Sequence, residues 1–356
     1  MSHPTGAPGA RRPPVPGAAV GPVDARVDAA PAPGHRPRSR AEAWLLAPAP
    51  AARLAMLRVL VGAYATAWAL ARLPAHVAHT GQPAERWQPV GVLAPLDAPP
   101  PDAVVVGAAL AAPVLALLVA LGWRHRVVTP AAAAVVLGLA TLDSSWGQVF
   151  HTENLMVLHL GILALAPAAA DTLAVGRRSG AAGRPGAAPA PDTRYGWPLR
   201  LAALVVVLTY LVTGLAKLRM GGLDWVDGDT LRHIVAHDNL RKALLGDAHS
   251  PVGPALVAHA WLFAPLAVAT LVVELGAWVA LLGGRWRTAW VVTAWIFHAG
   301  VLALMAIVFA YPLSGVAFAP FFRLERLRPS ARPGRRRRPA ARQPCWGRAR
   351  RARAGG

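Results

Sequence analysis

Seven apolar runs near residues 53–72, 103–121, 127–142, 154–170, 198–217, 259–282 and 288–308 set the frame for this chain. Each approaches the roughly 20 residues needed to span a bilayer as a helix. In lipid such a run must satisfy its backbone N–H and C=O groups internally, which leaves the α-helix as the spanning form. The sequence therefore predicts an all-α, polytopic membrane bundle of seven or eight transmembrane helices. The runs at 127–142 and 154–170 are short and rich in alanine. The stretch 309–322 (FAYPLSGVAFAPFF) reads either as a short eighth span or as an interfacial piece after a break at Pro312.

The charge supports this frame. The formal net charge is +20, from 37 Lys and Arg against 17 Asp and Glu, and thirteen of the arginines lie from Arg323 onward. The loops carrying Arg124 and Arg126, then Arg177, Arg178, Arg184 and Arg194, then Arg285 and Arg287 alternate along the chain with loops such as 143–153, which has no Lys or Arg. By the positive-inside rule, the basic loops and both tails belong on the cytoplasmic side, which favours eight spans over seven. The expected organisation is a disordered Pro-, Gly- and Ala-rich tail at 1–40, a transmembrane domain at 41–322 and a disordered, Arg-rich cytoplasmic tail at 323–356. The basic tail reads as lying against anionic lipid. A nucleic-acid partner is disfavoured, because Trp346 is the one aromatic residue beside these arginines.

Other chemistries have no support in the sequence. The single cysteine, Cys345, excludes an intramolecular disulfide, a thiolate zinc site and an iron–sulfur cluster. No phosphate loop, dinucleotide fingerprint or zinc-hydrolase motif occurs, and no metal is expected. The only lysines are Lys217 and Lys242. With so much Ala, Pro, Gly and Arg, the composition points to a GC-rich bacterial genome and so to a bacterial plasma membrane. A lysine inside an apolar segment of such a chain is not an arbitrary choice of cation.

Ionisable residues at membrane depth are functional candidates by default. At 1.5 Å per helical residue, Glu274 and His298 each lie about 17 Å from the basic side and His159 about 18 Å, a shared layer in which Glu274 and His298 could touch. Lys217 lies about 26 Å beyond Arg200, near the outer edge. Each has a plainer reading: Glu274 and His298 as a structural pair, His159 as a packing histidine, Lys217 and Arg58 as side chains that snorkel to an interface, Trp225 as part of an aromatic belt. An amine held among apolar groups can instead act as a base when neutral. The outer loop adds Asp143, Trp146, His151, Glu153 and Asn154, where helix capping competes with a catalytic role. Residues 229–245 pattern as an amphipathic helix on the outer face, with His233 and His237 on its polar side.

Tyr210, Gly214, Lys217 and Leu218, followed by Asp224, Trp225 and Gly228, resemble the Y-x-x-x-G-x-x-K-L and D-W-x-x-G patterns of membrane-embedded vitamin K-dependent gamma-carboxylases. The segment around Arg58 (LAMLRVLVG), the stretch FHTENLMVLHLGILALAP and the later Glu274, Leu275, His298, Met305 and Phe309 are similar to the HTTM domain, the bacterial membrane homologue of those enzymes. The resemblance covers roughly residues 40–322. It implies Lys217 as the base that deprotonates a reduced quinone, menaquinone or similar, with His151 and Glu153 as further catalytic candidates. Trp225, His159, Glu274 and His298 would then contact the cofactor. The outer loop reads H-T-E-N-L rather than the family's N-H-x-Y-L, and no large C-terminal substrate domain follows, so the expectation is quinol chemistry and not peptide carboxylation. Two other readings stand beside a carboxylase-like or quinone-dependent enzyme. One is a DoxX-like subunit of a quinone-linked redox system, which shares the G-x-x-K-L type of signature. The other is a transport protein with a Glu274–His298 proton path.

Overall fold

The computed structural model describes residues 39–176 and 189–327. The expectations of disordered tails and of a tail resting on anionic lipid concern mainly residues 1–38 and 328–356, which lie outside the described residues, as do Arg177, Arg178 and Arg184. The described chain forms α1 (Arg40–Leu45), α2 (Ala51–Val77), α3 (Asp102–Leu121), α4 (His125–Asp143), α5 (Asn154–Ala164), α6 (Thr193–Gly221), α7 (Asp229–Leu244), α8 (Val252–Val257), α9 (Phe263–Leu275), α10 (Gly284–Met305) and α11 (Ala310–Leu313), joined by loops and 3₁₀ turns. Among the described residues, six segments are long and apolar enough to cross a membrane: 51–77, 102–121, 125–143, 193–225, 260–282 and 284–305. Their outward faces are apolar, with Leu110, Val114, Val212, Val272 and Ile296 all exposed, as helices facing lipid require.

Polar contacts show which helix ends lie together. Arg58 is fully buried and donates to the carbonyls of Val119 and Ala120 at the end of α3 and to those of Ala169 and Leu173 beyond α5. It does not snorkel, because four orphaned carbonyls near helix ends lie within reach of its fork of donors. His125, at the start of α4, lies 3.1 Å and 3.2 Å from the carbonyls of Leu163 and Ala166. Asp192, the N-cap of α6, pairs with Ala49 ahead of α2. These contacts define one end of the bundle, the Arg-rich end. At the other end, Asp143 closes α4 and accepts from Arg72 at 2.7 Å, with His79 at 2.8 Å and His76 at 3.3 Å, all from the last turns of α2 and just beyond. Lys242 of α7 donates to the Met305 carbonyl that ends α10 and pairs with Asp238.

Two crossings are irregular. α5 is a helix of only 11 residues, about 16 Å long. It begins beside the Trp68 indole at the far end and, with a 3₁₀ turn over Pro167–Ala170, reaches the Arg-rich end at Arg58. After α10 the chain leaves the helix at Ala306 in a left-handed conformation, breaks again near Pro312 and Gly315, and ends with Glu325 paired to Arg53 at the start of α2. It has therefore returned to the Arg-rich end, as an eighth traversal made of α11 and a 3₁₀ turn, Val316–Phe321. Non-helical backbone is tolerated at such depth only inside protein. Here Tyr311, Pro312 and Ala317–Phe321 are all buried. The packed body extends past 322, since Leu324 is buried as well.

Candidate functional site

Tyr210, Gly214 and Lys217 are spaced i, i+4 and i+7, which puts all three on one face of α6. That face meets α9. A Cβ on Gly214 would lie 2.9 Å from Leu275 Cδ2 and 3.0 Å from Glu274 Cβ, so the helices approach this closely only because residue 214 has no side chain. Side chains lean toward the N-terminus of their own helix. α6 and α9 run in opposite directions, so Lys217 leans toward the Arg-rich end and Glu274 leans away from it. They meet, and the Lys217 ammonium donates to Glu274 Oε1.

This pair corrects two expectations. Lys217 is not an isolated amine among apolar groups, and Glu274 takes Lys217 as its partner, not His298. At α-helical rise throughout, Lys217 and Glu274 would differ by about 9 Å in depth; the opposed lean of two long side chains spans most of this and a 3₁₀ segment about 3.5 Å of it. Residues Gly276–Leu282 are 3₁₀, which rises about 2.0 Å per residue and carries Glu274 farther from the Arg-rich end. His298 Nε2 lies 2.7 Å from the Tyr210 hydroxyl. The indole of Trp290 packs edge-on to the Tyr210 ring at 5.0 Å, and Phe318 packs on Trp290 at 6.0 Å.

The two pairs line one cavity of about 360 Å³ that lies toward the end of the bundle opposite the Arg-rich one, beside His151, Leu231 and Met305. Its wall is largely apolar, with Phe297, Val301, Met305 and Phe309, and with Leu231 and Ile234 of α7. Trp225 is buried against Ala267 and Leu271, its indole N–H 3.4 Å from Thr270 Oγ1 and its ring 5.4 Å from Lys217 Nζ. It forms the cavity wall beside the amine and not an exposed belt. Gly228 makes that placement possible: its φ is +90°, and a Cβ there would sit 2.3 Å from the Ala264 backbone nitrogen. Two buried polar atoms in this region, Glu274 Oε2 and His298 Nδ1, have no protein partner. Buried polar atoms are seldom left so.

The remaining candidates fall in different places. His151 lines the cavity, its ring 5.4 Å from Phe309, and also borders a neighbouring cleft of about 670 Å³. Glu153 lies in that cleft and not in the first cavity, bonded to Thr152 and facing the Trp68 indole at 3.4 Å. His159 is buried away from the cavity, 2.7 Å from the Tyr311 hydroxyl and 3.3 Å from the Ala202 carbonyl, so both ring nitrogens have partners. Asp143 and Trp146 belong to the α2–α4 cluster, where Trp146 stacks on His79. His233 and His237 are exposed on α7. Among the described residues, no three His, Cys, Asp or Glu side chains converge on a metal geometry. Thr270 and Phe297 were not singled out from sequence. Phe297, beside His298 in the chain, was the more accessible of the two to such a reading.

No protein-family model, curated protein or solved structure matches the chain.

Proposed function

We propose that the protein is a bacterial plasma-membrane protein that binds a reduced quinone of the menaquinone type in the Lys217 cavity and takes a proton from its ring hydroxyl. The observation that carries this reading is the Lys217–Glu274 pair set in an apolar cavity, with Trp225 and Phe297 rings flanking the amine. A reduced quinone would supply a flat apolar ring and an ionisable hydroxyl, and the cavity offers a matching surface: aromatic walls, a basic nitrogen, and unpartnered polar atoms at Glu274 Oε2 and His298 Nδ1. In the proton transfer, Lys217 first passes its own proton to Glu274, leaving an amine beside a carboxylic acid; the amine then takes the proton from the ring hydroxyl and is an ammonium again, and the ring oxygen is left as the anion. Tyr210 holds His298 through Nε2, which leaves Nδ1 to orient the ligand. The similarity of the Tyr210–Gly228 pattern to the HTTM and gamma-carboxylase family supports the same role for Lys217.

The rings of Trp290 and Phe318 pack behind Tyr210, which lines the cavity. That favours local proton transfer over a proton path across the bundle, and so over the transport reading. By the positive-inside rule the Arg-rich end, where both termini of the described chain lie, faces the cytoplasm, and the cavity lies toward the other side. The test is mass spectrometry of organic extracts from detergent-purified protein. The expected result is a lipid quinone recovered near one per chain from the wild type and lost when Thr209→Trp fills the cavity. Equal recovery from both, or none from the wild type, would refute the reading.

A further inference from the structure

At the opposite end of the bundle, Arg53, Arg200, Arg287 and Arg323 line a separate cavity of about 260 Å³. They come from α2, α6, α10 and the final segment, so the fold gathers them from four distant parts of the chain. Against them stands one carboxylate, Glu325, which is engaged by Arg53 through two bonds of 2.8 Å and 2.7 Å. Among the described residues, no acid pairs with Arg200, Arg287 or Arg323, and residues 326–356 contain no Asp or Glu.

Two of the three remaining guanidinium groups are held in place, and the third, Arg323, is exposed at the cavity edge. Arg200 donates to the Ala47 carbonyl at 2.7 Å and lies 5.9 Å from the Trp44 ring. Arg287 lies 5.5 Å over the Phe322 ring, and its Nε is buried without a hydrogen-bond partner. A buried donor left unmade is costly, and like charges gathered at one point repel. A second positive element is present. Gly283, the N-cap of the 22-residue α10, lines the same cavity, and no side chain caps that helix. An uncapped helix N-terminus presents free N–H groups and the positive end of its dipole.

Fixed arginine forks, an unpartnered N–H and a helix N-terminus share one complement, an anion with several acceptor oxygens. We infer that this cavity binds a phosphate group. Its position at the Arg-rich ends of the spanning helices is the level of lipid headgroups, and basic pockets between transmembrane helices suit anionic headgroups. A headgroup phosphate and free inorganic phosphate share the chemistry, and the source is decided by experiment. The site is independent of the quinone cavity.

The test is thermal unfolding of full-length protein in a maltoside detergent, with inorganic phosphate or phosphatidylglycerol added separately, and with chloride and diacylglycerol, which carry no phosphate, as controls. The expected result is a rise in the midpoint of about 3 °C with one or both phosphate carriers and none with the controls. A rise with the lipid alone assigns a headgroup, and a rise with inorganic phosphate alone assigns the free ion. Arg200→Gln combined with Arg287→Gln should abolish the rise, while Arg285→Gln, at the same end but outside the cavity, should retain it. No rise in the wild type, an equal rise with the controls, or an equal loss in Arg285→Gln would overturn the proposal. If the double variant does not fold, Arg287→Gln alone is compared with Arg285→Gln: loss of the rise only in Arg287→Gln supports the site, and a full rise in both overturns it.

Discussion

Lys217 and Glu274 lie 57 residues apart on different helices, yet they are bonded, because Gly214 lets α6 and α9 close to contact at that level. Glu274 is almost fully buried, and the Lys217 side chain is about one-fifth exposed. Removing one member of such a pair leaves the other charge in a poor solvent.

Lys217→Met is therefore expected to lower stability by about 3 kcal/mol, and the double variant Lys217→Met, Glu274→Leu to recover most of that loss. Thermal unfolding in detergent measures both. A double variant no more stable than the single one would show that the pair does not govern the packing here.

Gly214→Ala is expected to cost about 1–3 kcal/mol, because its methyl must push against Leu275 and the Glu274 stem. Gly138→Ala is the control. Nothing lies within 4 Å of a Cβ at Gly138, inside α4, so the substitution should gain about 0.5 kcal/mol from helix propensity. Equal effects at the two positions would remove Gly214 from the account.

Arg58→Lys is expected to be severely destabilising despite the kept charge, by about 3 kcal/mol, because a lysine cannot span the carbonyls at the ends of α3 and beyond α5. A variant as stable as wild type in the same unfolding assay would contradict the anchoring role.

The Arg53–Glu325 pair fastens the eighth traversal and gives a pH signature. The hydrogen bond from Arg53 holds the Glu325 carboxyl below its usual range. The pair's contribution is thus present above the unfolded value of about 4.3 and is lost as pH falls through the lowered folded value. Both side chains are about one-quarter exposed, so the contribution is about 0.5–1 kcal/mol. Wild type should exceed Glu325→Gln in stability at neutral pH, and the difference should vanish in acid. A constant difference across pH would assign the effect to packing.

Much of this architecture was legible from hydropathy and arginine placement. The spans ending near Leu121, Asp143 and Leu282 follow directly from the apolar runs. The eighth traversal was ambiguous because Pro312 and Gly315 break its periodicity, and only burial by its neighbours makes that backbone viable. Arg58 looked like a snorkelling side chain because sequence does not show that carbonyls at the end of α3 and beyond α5 converge on it. Lys217 stood out as a lysine in an arginine-rich chain, and its face-sharing with Tyr210 and Gly214 was readable from spacing. Its partner was not, since it takes the opposed lean of both side chains and a seven-residue 3₁₀ segment to bring Glu274 level with Lys217. His159 looked equivalent to His298 in depth, but depth does not say which way a ring faces.

The most direct test of the central claim follows a water-soluble reduced naphthoquinone bound anaerobically to the purified protein, reading by ultraviolet absorbance the pH at which its hydroxyl ionises. With Lys217 as the group that takes the proton, ionisation on the wild type should occur about one pH unit or more below that on the folded Lys217→Met, Glu274→Leu variant. The same ionisation pH on both proteins, with binding intact, would contradict the account.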